Sequence, residues 1–508
     1  MKQLVIILLL ICWIHCKEEG IKIGVVTISA QGHISPLRPL LAELQSRSHE
    51  IYFFSSEQAR KKVPTVDRFF SVSNTSLEQI QEQVLAGDQP TISEFPLLFS
   101  TTEKAMLPGL IQEFEELKRK GEKPDILICD FLTLACMDIS VKYEIPAVIS
   151  FPGIYRSPWS AGLWTPQFFA PFLQDDMPYP WARLGNLVFT TVEKYLGWSL
   201  SKASNEVRAS FSIPPISSVR NAWYWGNLVL VHSFPPLNPP SSILLGTEYF
   251  IGFPKQPVNQ LEDHLNGLLL ASSRPVVFVS MGTISKQTKE LLDSMIEAFL
   301  ASPEYLFIWS IRDDIKSRTE KFKSIAVDSN IRLFSWVDQN SLLHHEKLAV
   351  FFTHGGFNSL VESVQAGKPM LCMPFFADQP QNCNRVASLS LGHAIRHESF
   401  NLPEFKEKLD ALIKQSIYKE KVSEMAAYSA LFGEHGLETA ANLLEVVAKF
   451  GDSALISPDT RLPWYALLNF DLIVLYSAFI SLSPLLFCYC CCFPRKRSVK
   501  PLPAKKTQ

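Results

Sequence analysis

The sequence shows no excess of charge of either sign, since Lys and Arg number 48 and Asp and Glu number 50 among its 508 residues. A nucleic-acid-binding chain usually has a clear basic excess, so this balance argues against a nucleic-acid partner. Short-period repeats and low-complexity tracts are also missing, which argues against solenoid and disordered architectures. With 47% hydrophobic residues, a chain of this length is expected to fold into two or three domains with large cores.

Cysteine is scarce where a disulfide framework would need it. Six of the ten cysteines lie near the two ends of the chain, which leaves Cys129, Cys136, Cys372 and Cys383 for the body. None has the paired spacing of a zinc site, so the sequence predicts no metal centre. A disulfide is possible in an oxidising compartment, but the sequence does not say which cysteines pair.

The first 16 residues resemble a secretory signal peptide. An apolar run from Leu4 to Ile14 follows Lys2, and Cys16 is a small residue suited to the cleavage position. This run is too short to cross a hydrocarbon core of about 30 Å. A buried first strand is the alternative, but a second strand-like segment begins directly afterwards.

Residues 472–493 form a run of 22 residues without a charged side chain. At about 1.5 Å per residue in a helix, this run is long enough to span a bilayer. Trp464 and Tyr465 precede it as interface anchors, and a basic cytoplasmic tail, residues 494–508, follows it. We therefore predict a single-pass type I membrane protein with a luminal body; a buried core helix is the alternative.

Two short signals refine this location. Lys505 and Lys506 stand fourth and third from the end and resemble the dilysine signal that retrieves type I proteins to the endoplasmic reticulum. Asn74 begins an Asn-Thr-Ser acceptor sequence for N-glycosylation. The sequence thus predicts a protein of the endoplasmic reticulum membrane that is glycosylated at Asn74.

Strand and helix patterns alternate in two parts of the chain, which predicts an α/β fold. The first part, residues 17–257, opens with a strand at 21–28, a helix at 37–44 and a strand at 51–54. The second, residues 258–455, has strand patterns at 276–280, 306–310, 331–334, 349–353 and 370–373. We expect two Rossmann-like domains that face each other across a cleft, with ligands at the carboxyl ends of the strands.

Residues 152–257 are crowded with prolines and aromatic side chains. They lack a clear strand period, and we interpret them as loops and helices around a hydrophobic cavity. A plain core with a linker explains the same composition.

The segment 352–379 reads FTHGGFNSLVESVQAGKPMLCMPFFADQ and has the chemistry of a diphosphate site. A strand ends before His354, Gly355 and Gly356 make a tight turn, and Asn358 and Ser359 begin a helix. Glycines let the backbone approach a ligand, and a helix N-terminus offers free N–H groups and partial positive charge.

Carboxylates in the same segment suit sugar hydroxyls. Glu362 lies one helical turn after Asn358, on the same face, where it can accept hydrogen bonds from a ribose. Asp378 and Gln379 follow the next strand and suit the hydroxyl groups of a second sugar.

This segment resembles the signature of the UDP-glycosyltransferase family, which includes the animal UDP-glucuronosyltransferases. The matching residues are Phe352, Thr353, His354, Gly355, Gly356, Ser359, Glu362, Pro369, Pro374, Asp378 and Gln379. The resemblance also covers the order of signal peptide, body, membrane helix and basic tail. It implies the GT-B arrangement of two facing domains.

The resemblance assigns further residues to the donor site. It implies that Trp336 stacks on uracil and that Gln339 contacts the nucleoside. It also implies that the strand-end residues Ser280, Gly282 and Thr283 contact the diphosphate, although a plain strand-to-helix turn has the same composition.

Two residues of the first domain follow strands and suit acid–base chemistry. His33 follows the first strand pattern, and Asp130 ends the strand at 126–129. A histidine base needs a carboxylate that fixes its tautomer, and the family has a catalytic His and Asp at such positions. The resemblance therefore implies that His33 is the base and that Asp130 orients it.

The implied reaction is the inverting transfer of a glucuronosyl or glucosyl group from a UDP-sugar to a hydroxyl of a small lipophilic acceptor, such as a hormone or xenobiotic. No Asp-x-Asp motif of the metal-dependent glycosyltransferases occurs, so we expect no metal and no cofactor. The donor stays open: glucuronate would favour a nearby cation, and Arg385 is the next cation after Gln379.

Two other functions remain. The chain could be a catalytically quiet UDP-sugar-binding or regulatory subunit of another transferase, with homo- or hetero-oligomers in the membrane, but the presence of both His33 and Asp130 argues against this. A dinucleotide-dependent oxidoreductase ranks last, because residues 29–33 lack the G-x-G-x-x-G pattern.

Overall fold

The computed structural model describes residues 20–75, 79–80, 95–155, 179–216, 227–238, 247–282, 285, 287–433, 435–451, 455 and 470–492. The predicted signal peptide, interface anchors and cytoplasmic tail lie outside these residues, as do residues 156–178, 217–226 and 239–246 of the aromatic-rich stretch 152–257.

The first sheet has seven parallel strands in the order β3-β2-β1-β4-β5-β6-β7. The strands are β1 Lys22–Val26, β2 Glu50–Ser56, β3 Arg68–Ser73, β4 Ile126–Asp130, β5 Ala147–Phe151, β6 Leu228–Val231 and β7 Glu248–Phe250. The helices along this part of the chain are α1 Gln31–Ile34, α2 Leu37–Ser46, α3 Phe95–Lys120, α4 Leu134–Tyr143 and α5 Pro180–Ser210. The strands are apolar on both faces because helices cover both sides of a parallel sheet.

The second sheet has six parallel strands in the order β10-β9-β8-β11-β12-β13. Its strands are β8 Val276–Ser280, β9 Leu306–Ser310, β10 Ile331–Phe334, β11 Leu348–Thr353, β12 Met370–Cys372 and β13 Gly392–Ala394. Its helices are α6 Asp263–Ala271, α7 Lys289–Leu300, α8 Asp313–Lys316, α9 Gln339–Leu343, α10 Phe357–Gln365, α11 Gln379–Ser388, α12 Leu402–Lys414 and α13 Ser416–Gly433. The predicted boundary between residues 257 and 258 lies in the segment that connects β7 with α6.

The chain returns to the first sheet after α13, which the sequence analysis does not predict. Helix α14, Gly436–Phe450, buries Ala440 and Leu444 against the face of the first sheet that α2 also covers. Polar bonds fix this helix, since Arg47 donates to Asn442 at 2.6 Å and Glu445 lies 3.0 Å from both Arg47 and His49. The polypeptide therefore crosses between the domains a second time.

A second compact unit, residues 457–508, contains helix α15, Phe470–Cys492. The predicted membrane span at 472–493 overlaps this helix. Within the described part of the chain, no helix is both long enough and apolar enough to cross a membrane. The predicted span is therefore not confirmed.

Two acidic side chains are buried together between α3, α4 and α5. Asp138 pairs with the guanidinium of Arg208, which also donates to the carbonyl of Pro214 at 2.7 Å. Glu103 accepts from the Ser204 hydroxyl at 2.9 Å. Burial, together with the negative charge of Asp138, raises the pKa of Glu103 to about 9, so Glu103 is protonated at neutral pH.

Replacing Glu103 with Gln is expected to stabilise the protein at alkaline pH. In the unfolded chain Glu103 loses its proton near its ordinary pKa of 4.5, whereas in the folded chain it keeps the proton up to a pKa of about 9. The folded state binds more protons between these values, so wild-type stability falls as pH rises through this window. Relative to wild type, we expect the unfolding free energy of Glu103→Gln to rise by on the order of a few kcal/mol between pH 4.5 and pH 8.

Denaturant unfolding across this pH range measures the effect. Glu103→Ala is the contrasting variant, because it leaves Asp138 and Ser204 without their partner and should destabilise at every pH. If the unfolding free energies of wild type and Glu103→Gln changed in parallel with pH, Glu103 would have to lose its proton at the same pH in the folded and unfolded protein.

Candidate active site

Both sheets reverse their strand order at one place, and a crevice forms outside the strand ends there. In the first sheet the reversal lies between β1 and β4, and in the second between β8 and β11. The four strand ends carry the segments that hold His33, Asp130, Ser280 and His354. The crevices are therefore lined by residues that the sequence analysis predicts as functional.

His33 and Asp130 meet across the first crevice. His33 lies in the one-turn helix α1, and its Nδ1 is 2.6 Å from the carboxylate Oδ2 of Asp130. The Asp130 side chain is fully buried, and its other oxygen accepts from the backbone N–H of Leu132 at 2.9 Å. The ring of Phe131 stacks against the ring of His33 with centroids 5.5 Å apart. Both the tautomer and the orientation of the imidazole are thus constrained.

A disulfide brackets Asp130 in the sequence. Cys129 lies in β4 next to Asp130, and it is bonded to Cys136 in α4 with Cα atoms 5.6 Å apart. The bond closes a short loop that contains Asp130 and Thr133, whose hydroxyl donates to the Asp130 carbonyl at 2.7 Å. This pairing answers the question that the sequence leaves open, while Cys372 and Cys383 are free and buried.

The predicted diphosphate turn is built around the ring of His354. Gly282 has a φ of +73°, and a Cβ on it would lie 2.6 Å from this ring. A Cβ on Gly356 would lie 2.5 Å from the same ring, so both glycines are required by the close approach. The ring is hydrogen-bonded to the backbone of Ser280, and burial lowers the pKa of His354 to about 4. His354 is therefore a neutral hydrogen-bonding group at physiological pH.

Gln339, Ser359 and Glu362 form one cluster beside this turn. The Gln339 amide donates to the Ser359 hydroxyl at 3.1 Å and to the Glu362 carboxylate at 2.6 Å. Burial raises the pKa of Glu362 to about 7, although the bond from Gln339 acts in the opposite direction. Ser359 and Glu362 lie in α10, whose N-terminus at Gly356 opens toward the crevice end of β11.

Asp378 and Gln379 follow β12, as the sequence analysis predicts, and they stand at the start of α11. The side-chain Oε1 of Gln379 accepts from the backbone N–H groups of Phe375 and Phe376, so its side-chain Nε2 is the group that can donate to a ligand. Burial raises the pKa of Asp378, while the amide of Asn382 and the charge of His33 oppose the shift. Asp378 of the second domain therefore interacts electrostatically with His33 of the first.

A family model described as UDP-glucoronosyl and UDP-glucosyl transferase matches residues 123–502 of this chain. The chain belongs to this family. It is 24% identical to UDP-glycosyltransferase UGT5 of Dactylopius coccus, over 92% of this chain and 90% of that protein. It is 23% identical to UDP-glucuronosyltransferase 2A2 of Mus musculus, over 91% of each. The protein is thus a UDP-glycosyltransferase.

Solved structures share the fold. The glycotransferase of kitacinnamycin superposes with a TM-score of 0.63 at 19% identity, over 84% of this chain and 98% of that one. UDP-glucose: anthocyanidin 3-O-glucosyltransferase in complex with UDP superposes with a TM-score of 0.58 at 18% identity, over the same shares. The two facing Rossmann-like domains of this UDP-glycosyltransferase therefore have the predicted GT-B arrangement.

Arg385 does not lie free beside the predicted sugar site. Its Nε donates to the carbonyl of Leu237 at 3.1 Å, and its Nη2 donates to the carbonyl of Pro236. The Arg385 guanidinium of this UDP-glycosyltransferase therefore bonds the segment that follows β6. These bonds do not favour a role for Arg385 in selecting a charged sugar.

The remaining predicted residues are not joined to these clusters. Trp336 follows β10 and is 73% exposed, so its ring is accessible for stacking. Asn358 is half-buried in the first turn of α10. Asn74 is exposed directly after β3, and Thr283 lies outside the described residues.

The sequence analysis of this UDP-glycosyltransferase missed Asn382 and Phe131. The Asn382 amide donates to Asp378 at 2.7 Å and to the carbonyl of Gly355 at 2.9 Å, and thus joins the two ends of the signature segment. Its spacing of four residues from Asp378, which places both on one face if the segment is helical, is a signal that could have identified it. Phe131 had no such signal, because ring stacking on His33 depends on the tertiary structure.

Binding of UDP-glucose should weaken below neutral pH because of Glu362. The predicted role of Glu362 is to accept hydrogen bonds from ribose hydroxyls in its ionised form, and its pKa is raised to about 7 in the unliganded protein. If only the ionised form binds well, the Kd should rise about tenfold between pH 8 and pH 6. Calorimetric titration with UDP-glucose, which does not itself titrate in this range, measures this dependence.

Glu362→Gln is the matched control for this pH effect. It should bind UDP-glucose more weakly than wild type at pH 8 and lose most of the pH dependence. A Kd that rises equally in wild type and Glu362→Gln would assign the titration to another group, such as Asp378.

Proposed function

We propose that this UDP-glycosyltransferase transfers a glucuronosyl or glucosyl group to a hydroxyl of a small lipophilic acceptor with inversion, and that His33 is the base. The observation that carries the proposal is the 2.6 Å bond between His33 Nδ1 and buried Asp130. With the Nδ1 proton held by the carboxylate, Nε2 is the basic nitrogen of the neutral ring. Asp130 then stabilises the imidazolium that forms.

The proposed reaction is a single displacement. Nε2 of His33 takes the acceptor O–H proton while that oxygen attacks the anomeric carbon of an α-linked sugar. The bond between this carbon and the β-phosphate oxygen breaks, so UDP leaves and a β-glycoside forms. Neutral His354 and the N–H groups at the start of α10 would stabilise the charge that develops on the diphosphate.

The donor residues follow from the second crevice. Trp336 would stack on uracil, and Gln339 with Glu362 would hold the uridine. Asp378 would accept hydrogen bonds from sugar hydroxyls, and the Gln379 amide would donate to them. The family description includes both glucuronosyl and glucosyl transfer, which supports a hexose donor without choosing between the two.

We further propose that the body lies in the lumen of the endoplasmic reticulum, anchored by residues 472–493. Support comes from the sequence alone: the apolar start, the charge-free run and the basic tail. In sealed microsomes, protease should remove only the tail. After solubilisation in detergent, an N-glycosidase should lower the apparent mass unless Asn74 is replaced by Gln. Complete digestion without detergent would overturn this topology.

Replacing His33 with Ala is expected to abolish transfer while leaving UDP binding intact. Microsomes with wild type, His33→Ala or Asp130→Asn are supplied with UDP-glucose or UDP-glucuronate, a panel of phenols and alcohols, and EDTA. We expect product from one donor, a loss of at least about a hundredfold in either variant, and no effect of EDTA.

UDP binding to each variant separates chemistry from folding. The proposed base is wrong if His33→Ala keeps its activity, and metal independence is wrong if EDTA stops the wild-type reaction. If wild type binds both donors and forms no product across a broad acceptor panel, a UDP-sugar-binding subunit becomes the better description.

A further inference from the structure

Arg385 joins the donor-binding helix to the catalytic domain. It lies in α11, and its two bonds to the carbonyls of Leu237 and Pro236 reach a segment that directly follows β6 of the first sheet. A guanidinium presents several N–H groups in a rigid plane, so it can bond two consecutive carbonyls at once. The side chain is thus positioned to fix one domain relative to the other.

The segment that accepts these bonds belongs to both domains. It continues from β6, yet the side chains of Phe234 and Leu237 are fully buried in the core of the second domain. Within this stretch the N–H of Asn238 donates to the carbonyl of Phe234 at 2.8 Å, while Pro235 and Pro236 have no backbone N–H to donate. Arg385 adds hydrogen bonds to the carbonyls of Pro236 and Leu237.

The other end of α11 carries the sugar-binding residues. Asp378 occupies the N-cap position of the helix. The Asn382 amide donates both to Asp378 and to the carbonyl of Gly355 in the diphosphate turn. Arg385 lies about two helical turns from Asp378. Because a short helix moves as a rigid body, a change in where Arg385 is held also moves Asp378.

The first domain connects the same segment to the base. His232 is the first residue after β6, and its Nε2 lies 2.9 Å from the hydroxyl of Ser150 on β5. Ser150 is in register with Asp130 on β4, and Asp130 holds His33. Three adjacent strands therefore separate the Arg385 bonds from the catalytic pair.

We propose that Arg385 is a positioning residue that sets the register of α11, and hence of the donor sugar, against His33. This inference rests on the proposed function, because it assigns Asp378 and Gln379 to the sugar and His33 to the base. Arg385 acts through α11 and the segment 234–237, and it need not touch either substrate. Its loss should impair the displacement step more than the binding of UDP, which is held by Gln339, His354 and Glu362 within the second domain.

The first test separates turnover from nucleotide binding in the full-length protein. We expect Arg385→Ala to lower kcat on the order of 10- to 100-fold, since small errors in the placement of reacting groups have effects of this size. The Kd for UDP should change by less than about threefold. Arg385→Lys keeps the charge but not the planar fork, so it should recover only a small part of kcat.

Arg396→Ala is the matched control, because Arg396 lies in the same domain and its side chain is 80% exposed. It should leave kcat and the UDP Kd unchanged. A fall in UDP affinity as large as the fall in kcat would overturn the proposal, since Arg385 would then support the donor site itself. Unchanged kcat in Arg385→Ala would overturn it too.

Hydrogen–deuterium exchange tests the same proposal without any need for activity. In Arg385→Ala, amides of residues 228–238 should exchange about fivefold faster or more, while those of β8 at the centre of the second sheet should not change. Unchanged exchange in residues 228–238 overturns the domain-fixing role. If the wild type has no transferase activity but residues 228–238 exchange faster in Arg385→Ala, the domain-fixing role is supported. In that case the proposed function, rather than the positioning contact, has failed.

Discussion

A parallel sheet that reverses its strand order leaves a crevice beyond the strand ends, and this constraint governs the whole molecule. Both sheets reverse once, between β1 and β4 and between β8 and β11. Each crevice receives the polar residues that follow its strands. The contact of His33 with Asp130 and the position of the predicted diphosphate turn at His354 are therefore consequences of topology as much as of residue type.

Burial tunes the polar groups that the crevices collect. Burial lowers the pKa of His354 to about 4 and raises the pKa of Glu362 to about 7. The lowered pKa keeps His354 neutral beside the expected diphosphate. The raised pKa lets the charge of Glu362 change within the physiological pH range. Asp130 is fully buried and accepts hydrogen bonds from His33 and from the backbone N–H of Leu132, which compensate its loss of water.

The two domains are held together by features that are distant in sequence. Helix α14 comes after the whole second domain and yet packs on the first sheet. The segment from Phe234 to Leu237 follows a strand of the first sheet and yet lies in the second core. Arg385 bonds the carbonyls of this segment. Each domain thus contributes part of the other, which limits how far the two crevices can separate.

The fold class and the chemistry of the signature segment 352–379 could be predicted from the residues, because they depend on local periodicity and on a motif whose spacing is set by one turn and one helix. The roles of His33 and Asp130 came from the family resemblance together with their positions at strand ends. Three contacts could not be predicted without the tertiary structure: Cys129 bonds to Cys136, Phe131 stacks on His33, and Arg385 donates to the carbonyl of Pro236. Such contacts join residues through directions of side chains and packing of distant segments, and no local pattern encodes those directions.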